Sequence, residues 1–378
     1  VGTTDNFFEA GGSSLRAMQM TVQIRRKFGV ALGIGDLVAA PTVRMLAPRI
    51  GSDASSGQWS SLVRMRGEGA LRPSFLVHPA TGHSMHYRGL LAYLPVEQPL
   101  YAFDAAGLAD DQSVDVSLEQ MATRYVNAMR KVQPLGPYTL GGWSLGGLIC
   151  WEMARQLLDL ANTMERLVLI DVPAPHVAEP PSTDEVLSWF LDNLQLGISV
   201  EALDLSGLPQ ARGGERARLA AAIAQLIAQL HNSRLPVTVD DLMPVFRVFR
   251  AIAIANATYT APAAMQLGQL DLIRASITTL RQRPCHPSID VDDWGWSGLL
   301  TGAELYIHWL DGTRDALVAD GRIECVANLL RHKESTMPAA SKIDGPSESI
   351  VPWQVVPPEV AAQNVETERM RRQQLPRA

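Results

Sequence analysis

One serine of this chain stands in a pattern that suits a nucleophile. Ser144 lies in the run Gly142-Trp143-Ser144-Leu145-Gly146, between a predicted strand at 138–142 and a predicted helix at 148–160. Glycines two positions before and after a serine allow the strained strand-to-helix turn that exposes a hydroxyl above a parallel sheet. The five-residue pattern is weak alone, but the strand and helix around it make it a strong signal. The sequence therefore predicts a nucleophile at Ser144.

An activated serine needs a base, a group that orients the base, and donors for the oxyanion. Asp171 ends the next predicted strand, 166–172, and we expect it to orient the base rather than merely cap a turn. The expected oxyanion donors are the backbone N–H groups of Leu145 and of Ala80, which lies in the loop 78–82. His78 stands at a strand end before the nucleophile, and we interpret it as structural.

The elements that must position these residues alternate along the chain. Short Val/Ile/Leu/Tyr runs and helical patterns follow one another from about 61 to 331, which predicts βαβ units around a parallel sheet. Nearly a hundred residues separate the strand ending at 172 from the one starting at 270, so we expect a second domain or a lid there, with helices at 184–196 and 215–230. Trp294-Gly295-Trp296 precedes the last predicted strand, and we favour packing over a substrate wall. The strand candidates are 61–66, 75–80, 100–103, 138–142, 166–172, 270–275 and 304–310.

A second serine with a chemical signature lies near the start of the chain. Residues 5–17 read Asp-Asn-Phe-Phe-Glu-Ala-Gly-Gly-Ser-Ser-Leu-Arg-Ala, so Ser14 opens an amphipathic helix after a glycine turn. A serine there is ordinarily an N-cap. The full string, however, resembles the Asp-x-Phe-Phe-x-Leu-Gly-Gly-x-Ser-Leu signature of carrier domains in non-ribosomal peptide synthetases. The resemblance implies that Ser14 carries covalent 4′-phosphopantetheine, and a helix N-terminus favours such a phosphodiester.

The carrier resemblance has two departures. Ala10 stands where the signature has Leu. Carrier domains also have a helix before this motif, whereas only four residues precede it here. We therefore expect a small all-α carrier that is truncated, with its first helix missing.

A wider resemblance covers about residues 70–331. The string Phe-Leu-Val-His-Pro-Ala-Thr-Gly, the phrase Gly-Pro-Tyr-Thr-Leu-Gly-Gly-Trp-Ser-Leu-Gly-Gly and the strand Leu-Val-Leu-Ile-Asp together resemble the terminal thioesterase domain of peptide synthetases and polyketide synthases. That family implies an α/β fold, specifically an α/β-hydrolase fold with a helical lid insertion. A carrier followed by this domain is the order in which such assembly lines end. The implied partners are upstream modules of the same synthetase, a phosphopantetheinyl transferase and an acyl or peptidyl thioester.

These resemblances and the shifts in composition divide the chain. We expect a carrier at 1–50, a Gly- and Ser-rich linker at 51–60, a thioesterase at 61–335 with its lid at about 176–260, and a Pro-rich tail without stable structure at 336–378.

The base expected by the thioesterase resemblance is missing. The family places a histidine in a Gly-x-His loop after the last strand, but this chain has Arg314 there. Arginine stays protonated at neutral pH and cannot accept the serine proton. There are four explanations. His308 is the general base instead, or one of four other histidines moves in to act as the base. Alternatively, Arg314 was introduced to slow turnover, or the natural domain has lost hydrolysis or uses Arg314 to bind an anionic substrate group. The four other histidines are His83, His86, His176 and His286.

Three functional hypotheses follow, and the third is a generic esterase with no carrier link, which would fail if a phosphopantetheinyl transferase loads Ser14. In the first, an acyl or peptidyl chain passes from the Ser14 phosphopantetheine to Ser144, and the acyl-enzyme is released by hydrolysis or cyclisation. In the second, a degenerate thioesterase-like module binds a loaded carrier without cleaving it, because Arg314 replaces the base.

Composition excludes several other classes. The chain has 378 residues, 47% of them hydrophobic, and a formal net charge of −6, so it is neither disordered throughout nor suited to binding nucleic-acid phosphates. Its three cysteines lie far apart without a CxxC pair, which argues against a zinc site or a disulfide framework. No apolar run reaches about 18 residues and no signal-peptide pattern opens the chain. We therefore expect a cytoplasmic protein without metal, nucleic acid or membrane partners.

Overall fold

The computed structural model describes residues 2–12, 14–30, 32–51, 60–108, 113–194, 214–229, 238–261, 264–277, 292–313, 317, 322–331 and 354–355. Within these residues an eight-stranded sheet has the order β1-β3-β2-β4-β5-β6-β7-β8. Strands β2 to β7 are mutually parallel, while β1 and β8 pair antiparallel at the two edges. The strands are β1 Leu62–Arg66, β2 Ser74–Val77, β3 Leu100–Phe103, β4 Tyr138–Trp143, β5 Met164–Ile170, β6 Gln269–Ile277, β7 Glu304–Thr313 and β8 Gln354–Val355.

Alternation along the central strands builds two hydrophobic layers. On β5, Leu167 and Leu169 belong to the layer beneath helices α4 (Leu118–Met129) and α5 (Gly146–Asp159). Val168 and Ile170 belong to the opposite layer, beneath the 3-10 helix Ser84–Ala92 and helix α9 (Ile323–Leu330). A run that is apolar at successive positions is typical of a strand in a parallel sheet covered on both faces. Helices cover both faces here, which explains the near-continuous apolar runs of the sequence.

All seven strands expected from the sequence are present, and β8 is an addition. Its two residues pair with β7, Val355 opposite Tyr306 and Gln354 opposite Ile307. They fall in the segment expected to lack stable structure, whose other residues lie outside the described part of the chain, so that expectation stays a prediction.

The described residues of the long excursion between β5 and β6 include three helices. They are α6 Thr183–Asn193, α7 Gly214–Gln229 and α8 Val239–Thr258, and we call them the insertion helices. The ring of Phe190 on α6 lies 5.2 Å from that of Phe246 and 5.5 Å from that of Phe249, both on α8. Tyr259, just after α8, donates a 2.7 Å hydrogen bond to Glu152 on α5, which ties the insertion to the central domain.

The first fifty residues are helical, as expected. They form α1 Ser14–Phe28, α2 Ile34–Ala39 and α3 Val43–Gly51. Their buried side chains Ala17, Ile24 and Leu37 belong to the same hydrophobic layer as α5. The helices therefore pack on the sheet domain rather than standing apart from it.

No helix in the described ranges combines the length and the apolar character needed to cross a bilayer. The same ranges contain no group of three or more His, Cys, Asp or Glu side chains placed to hold a metal ion.

Candidate active site

Ser144 occupies a sharp turn between β4 and α5. Its φ of 57° lies in the left-handed region, a strained state for a serine that recurs at functional turns. Its N–H donates to Ile170 O at 2.8 Å, and its carbonyl accepts from Gly147 N at 2.9 Å. Ser144 as a whole residue is 3% exposed. The predicted strand–turn–helix context of Ser144 is therefore present.

The two flanking glycines are required by close backbone packing. A Cβ on Gly146 would lie 2.1 Å from the carbonyl oxygen of His78, and one on Gly142 would lie 2.6 Å from that of Gly146. Both distances are far below ordinary contact, so any side chain would push the segments apart. Gly146 thereby brings the turn of Ser144 against the loop that follows β2.

Asp171 lies directly beside this turn. It follows β5, the neighbour of β4, and the hydrogen bond from Ser144 N to Ile170 O brings the two segments into register. Asp171 also has a positive φ of 51°. Its carboxylate accepts from the backbone N–H of Ala275 at 3.3 Å, and it is 6% exposed. The structure thus brings Ser144 and Asp171 together at the carboxyl edge of two parallel strands.

The expected oxyanion donors lie on two segments that meet at Gly146. Leu145 precedes α5, and Ala80 lies in the loop after β2; both are buried. The loop is closed by a hydrogen bond from Gly82 N to Pro79 O at 2.9 Å and anchored by one from Ala105 N to Gly82 O at 2.9 Å. Gly146 brings this loop against the turn of Ser144, and the role of the Ala80 and Leu145 N–H groups as oxyanion donors stays a prediction.

His78 is held inside the domain by two hydrogen bonds. Its Nε2 lies 2.7 Å from the hydroxyl of Tyr125, and its Nδ1 lies 2.8 Å from Pro79 O. Burial lowers the pKa of His78 to about 4, so the ring is neutral at pH 7 and Nδ1–H donates to Pro79 while Nε2 accepts from Tyr125. The interpretation of His78 as structural agrees with this environment. Tyr125 lies on α4, 47 positions away, and no sequence signal marked it.

Two further histidines follow the same loop. His83 is buried, and among the described residues neither of its ring nitrogens has a hydrogen-bond partner. The ring of His86 lies 5.2 Å from that of Trp143. Desolvation lowers the pKa of each to about 4. Both rings are neutral at pH 7, but a conjugate acid so strong makes each a poor proton acceptor.

The other candidate bases have different surroundings. His308 lies in β7, and its Nε2 is 2.7 Å from Asp271 on β6, whose carboxylate also lies 3.4 Å from Arg166. His308 is thus paired with a carboxylate other than Asp171. His176 is exposed at the start of the insertion. Arg314 and His286 lie outside the described residues, so the identity of the base stays a prediction.

Arg274 is a neighbour of Asp171 that sequence reasoning missed. Its guanidinium lies 4.1 Å from the ring centre of Trp294 and 4.2 Å from that of Trp309. Burial lowers the pKa of Arg274 to about 10, against the opposing attraction of Asp292 and Asp171. It therefore stays charged at pH 7 and supplies a fixed cation close to Asp171.

The two tryptophans before β7 are packing residues, as favoured from the sequence. Trp294 and Trp296 are 1% and 0% exposed, and the indole N–H of Trp296 donates to Val172 O at 2.9 Å. They fix the chain that follows β5, just after Asp171.

The predicted phosphopantetheine attachment residue, Ser14, lies at the start of α1. The helix begins at Ser14 and runs for 15 residues. The preceding turn is closed by a hydrogen bond from Gly12 N to Phe7 O at 2.8 Å. Glu9, Ala10 and Gly11 are exposed. The N-terminus of a long helix fits a phosphodiester.

Comparison with known proteins gives two matches to protein-family models. Residues 1–50 match the phosphopantetheine attachment site family, and residues 72–195 match the thioesterase domain family. The chain is 40% identical over 194 residues to a dimodular nonribosomal peptide synthase of Bacillus subtilis (strain 168), which covers 50% of this chain and 8% of that protein. It is 38% identical over 188 residues to malpinin synthetase of Mortierella alpina, covering 49% of this chain and 2% of that protein. The chain thus spans a small part of these relatives.

Two solved structures extend the likeness. One is holo-AB3403, a four-domain nonribosomal peptide synthetase bound to AMP and glycine, with 26% identity and a TM-score of 0.61 over 87% of this chain and 24% of that one. The other is the type II thioesterase BorB from the borrelidin biosynthetic cluster, with 15% identity and a TM-score of 0.50 over 72% of this chain and 97% of that one. The second likeness concerns the fold alone. The expectation of an α/β-hydrolase-type domain preceded by a helical carrier is confirmed.

Proposed function

We propose that this protein releases an acyl or peptidyl chain from its carrier through an acyl-enzyme on Ser144. The proposal starts from the order of the two matched regions, a phosphopantetheine attachment site followed by a thioesterase domain. The observation that carries this proposal is the pairing of Ser144 and Asp171. Both have positive φ, both are buried, and they lie at the carboxyl ends of adjacent parallel strands. That edge is where α/β sheets carry their reactive groups.

The phosphopantetheine arm, attached at Ser14, supplies the thioester that presents the chain. Ser144 Oγ attacks the carbonyl carbon of that thioester, forming a C–O bond while the C–S bond breaks. The base takes the Oγ proton and returns it to the departing thiolate. The N–H groups of Ala80 and Leu145 hold the negative charge on the carbonyl oxygen.

Deacylation repeats the chemistry with a second nucleophile. Water, or a hydroxyl or amine of the chain itself, attacks the Ser144 ester and gives an acid or a ring. Asp171 orients the base in both halves of the reaction. Ala275 N–H holds the Asp171 carboxylate in place.

The position of the carrier supports delivery to this site. Phe8 lies six positions before Ser14, and its ring sits beneath the guanidinium of Arg88 at 4.2 Å. Arg88 belongs to the 3-10 helix that begins directly after the loop carrying Ala80. The loop before Ser14 therefore contacts the helix that follows the loop of Ala80.

The experiment is acylation of the full chain by an acyl-pantetheine thioester, followed by mass spectrometry of the peptide containing Ser144. We expect one acyl adduct on Ser144, and Ser144→Ala as the matched control should carry none. An unmodified Ser144 peptide, with Ser144→Ala indistinguishable from the parent, would refute the proposal. Loading by a phosphopantetheinyl transferase, with Ser14→Ala as control, tests the attachment serine separately.

A second function, binding a loaded carrier without cleavage, is favoured by Arg314 in the family's histidine position. The variant Arg314→His separates the two. A rise in hydrolysis by orders of magnitude indicates a crippled triad, because losing a triad member costs that much in rate. An unchanged rate together with carrier binding supports the binding module.

A further inference from the structure

We propose that Thr81, His83 and Trp143 form a subsite beside Ser144 that binds a secondary amide of the thioester substrate. We call these three residues the amide subsite. The inference deepens the proposed function, on which it rests, because it names a group of the substrate that the protein recognises next to the reacting thioester. Unpaired buried atoms, the contacts that hold them near the Ser144 turn, and the hydrogen-bonding chemistry of the three side chains carry it.

Four buried polar atoms of these side chains have no hydrogen-bond partner among the residues that the structure describes. They are Thr81 Oγ1, His83 Nδ1, His83 Nε2 and Trp143 Nε1. His83 is 9% exposed and Trp143 is 7% exposed. Native proteins pair nearly all buried polar groups, because an unpaired donor or acceptor has lost its hydration without compensation. Trp143 directly precedes Ser144, and Thr81 lies in the loop 78–82, so the unpaired atoms point to a ligand near the reacting end of the substrate.

A buried tyrosine ties the segment of His83 to the turn of Ser144. The hydroxyl of Tyr87, in the 3-10 helix, accepts from Trp143 N at 2.9 Å and donates to Val77 O at 2.6 Å. Val77 ends β2 and Trp143 ends β4, which are neighbouring strands. One hydroxyl thus fixes the 3-10 helix to the ends of both strands, so His83 and Trp143 belong to the same corner of the domain.

His86 connects the rings of His83 and Trp143. The ring of His86 lies 5.2 Å from that of Trp143, at an interplanar angle of 68°. Burial and, after it, the charge that His83 can carry lower the pKa of His86 to about 4. Burial also lowers the pKa of His78, with a smaller contribution in the same direction from His83. Such interactions fade with distance, so the ring of His83 lies close to both of these histidines.

His83 does not cap the helix that follows it. It stands at the N-cap position of the 3-10 helix with φ −107° and ψ 134°, yet its side chain makes no capping hydrogen bond. Asp104 instead accepts from Ser84 N at 2.7 Å, so the first N–H of the helix is already paired. The ordinary structural role of an N-cap side chain is therefore filled by another residue, which leaves the ring of His83 for a ligand.

The donors and acceptors of the amide subsite match a neutral amide. Burial lowers the pKa of His83 to about 4, so at pH 7 one ring nitrogen donates and the other accepts. The hydroxyl of Thr81 can do either, and the indole of Trp143 only donates. A secondary amide presents one N–H and one carbonyl oxygen, which this set can pair completely. A carboxylate or an ammonium group would be buried here without an opposite charge among the three side chains, which is costly.

Two parts of a thioester substrate carry an amide a few bonds from the reacting carbonyl. One is the acyl chain, when its last unit is an amino acid whose nitrogen is acylated. The other is the pantetheine arm, whose cysteamine nitrogen forms an amide close to the sulfur. Both present the same donor and acceptor, so the amide subsite fits either, and binding measurements separate the two sources.

The insertion helix α8 covers the amide subsite. Gly82, between Thr81 and His83, has a φ of +82°, and a Cβ on it would lie 2.7 Å from Val248 Cγ1 of α8. Glycine is therefore required there by the left-handed backbone and by the close contact with α8. Val248 is 1% exposed, so this side of the loop is dry. An amide enters when α8 moves aside, and its hydrogen bonds then form in a low-dielectric environment, where they are stronger.

The amide subsite is tested by calorimetric binding to the full chain carrying Ser144→Ala, so that no acylation is needed. The probes are ketones in which a methylene group replaces the sulfur of a pantetheine thioester, so they cannot be cleaved. In the first pair, one probe has an N-acetylglycyl chain and the other a levulinyl chain, in which a methylene group replaces the amide N–H. In the second pair both probes have a pentanoyl chain, and a methylene group replaces the N–H of the arm amide next to the ketone in one of them.

His83→Leu should weaken binding of the amide probe of one pair about five- to a hundredfold, because the buried amide then loses a partner. Its methylene counterpart should bind almost as before. A selective loss in the first pair assigns the amide to the acyl chain, and a selective loss in the second pair assigns it to the arm. His83→Gln keeps a donor and an acceptor and should restore most of the affinity, while Thr81→Val should give a smaller selective loss of about two- to tenfold.

His176→Leu is the matched control, because His176 is exposed and its replacement should leave the binding of all probes unchanged. Urea unfolding checks that His83→Leu is folded, and Thr81→Val decides the matter where it is not. Equal weakening of amide and methylene probes by His83→Leu indicates a packing role, and unchanged binding indicates that the ring nitrogens hold water only. Either result, or no binding of any probe, overturns the inference. An unmodified Ser144 peptide in the acylation experiment counts against the proposed function instead, since the probes bind without acylation.

Discussion

The substitution Gly146→Ala measures how tightly the turn of Ser144 is packed against the loop 78–82 that follows β2. The new Cβ would lie 2.1 Å from His78 O and 2.9 Å from Val77 O, which is about 1.3 Å closer to His78 O than the 3.4 Å at which ordinary contact begins. Neither oxygen can move alone, because both belong to the backbone at the end of β2. The turn and the loop must therefore separate by about 1 Å.

Two opposing terms set the expected size of the effect. Alanine in place of a helical glycine is worth up to about 1 kcal/mol in favour of folding. Overpacking costs about 1–3 kcal/mol, so the clash should win and the variant should unfold at lower urea. If Ser144 is acylated as proposed, a displacement of 1 Å between it and the proposed oxyanion donors, Ala80 and Leu145, should also slow its acylation about a hundredfold.

The assay pairs urea unfolding with labelling of Ser144 by a fluorophosphonate. Gly298→Ala is the matched control, since a Cβ there meets nothing within 4 Å and the residue has no positive φ. The control should be neutral in both measurements. A Gly146→Ala protein that is as stable as the control and labels at the parent rate would refute the packing argument.

Three further predictions rest on buried polar groups. Tyr125→Phe removes the partner of His78 Nε2, and leaving that buried nitrogen unpaired should lower the free energy of unfolding by about 1–3 kcal/mol in urea titrations; an unchanged midpoint contradicts the network. Tyr259→Phe removes the 2.7 Å hydrogen bond to Glu152 and should cost about 1.5 kcal/mol, while increased hydrogen exchange in residues 239–258 should show that the insertion has loosened. Burial lowers the pKa of His83 from 6.5 to about 4, so its contribution to stability is complete above about pH 6.5 and is lost as the pH falls towards 4. Between pH 7 and pH 5 the free energy of unfolding should therefore fall by about 2 kcal/mol less in His83→Leu than in the parent. An equal fall in both proteins would show that His83 is not responsible for the pH dependence.

Local patterns predicted the strand–turn–helix around Ser144 well. The glycines around Ser144 are dictated by backbone contacts within a few residues, so a strand–turn–helix pattern was sufficient to find them. The strands were equally readable, because a parallel sheet covered on both faces requires continuous apolar runs such as 166–170. Asp171 followed from the same logic, since it ends one of those runs.

The candidate site was less readable where partners come from distant segments. The sequence singled out His78 but not Tyr125, and it marked the Trp294 segment but not Arg274, whose charge lies beside Asp171. His308 looked like a spare base, yet its ring is paired with Asp271 on the adjacent strand. Sequence spacing does not record which face of a strand meets which helix.

The sequence by itself determined the order of the two regions and singled out Ser14 and Ser144 as candidate sites, because those depend on local motifs and on periodicity. Only the tertiary structure decided how the parts meet. Gly35 is needed because Val63 lies against it, and Arg26 has its partner in Asp241, more than two hundred positions along the chain. Such contacts depend on how the whole domain packs. Which residues become neighbours is decided by the fit of their volumes and charges in three dimensions, and sequence separation does not record that fit.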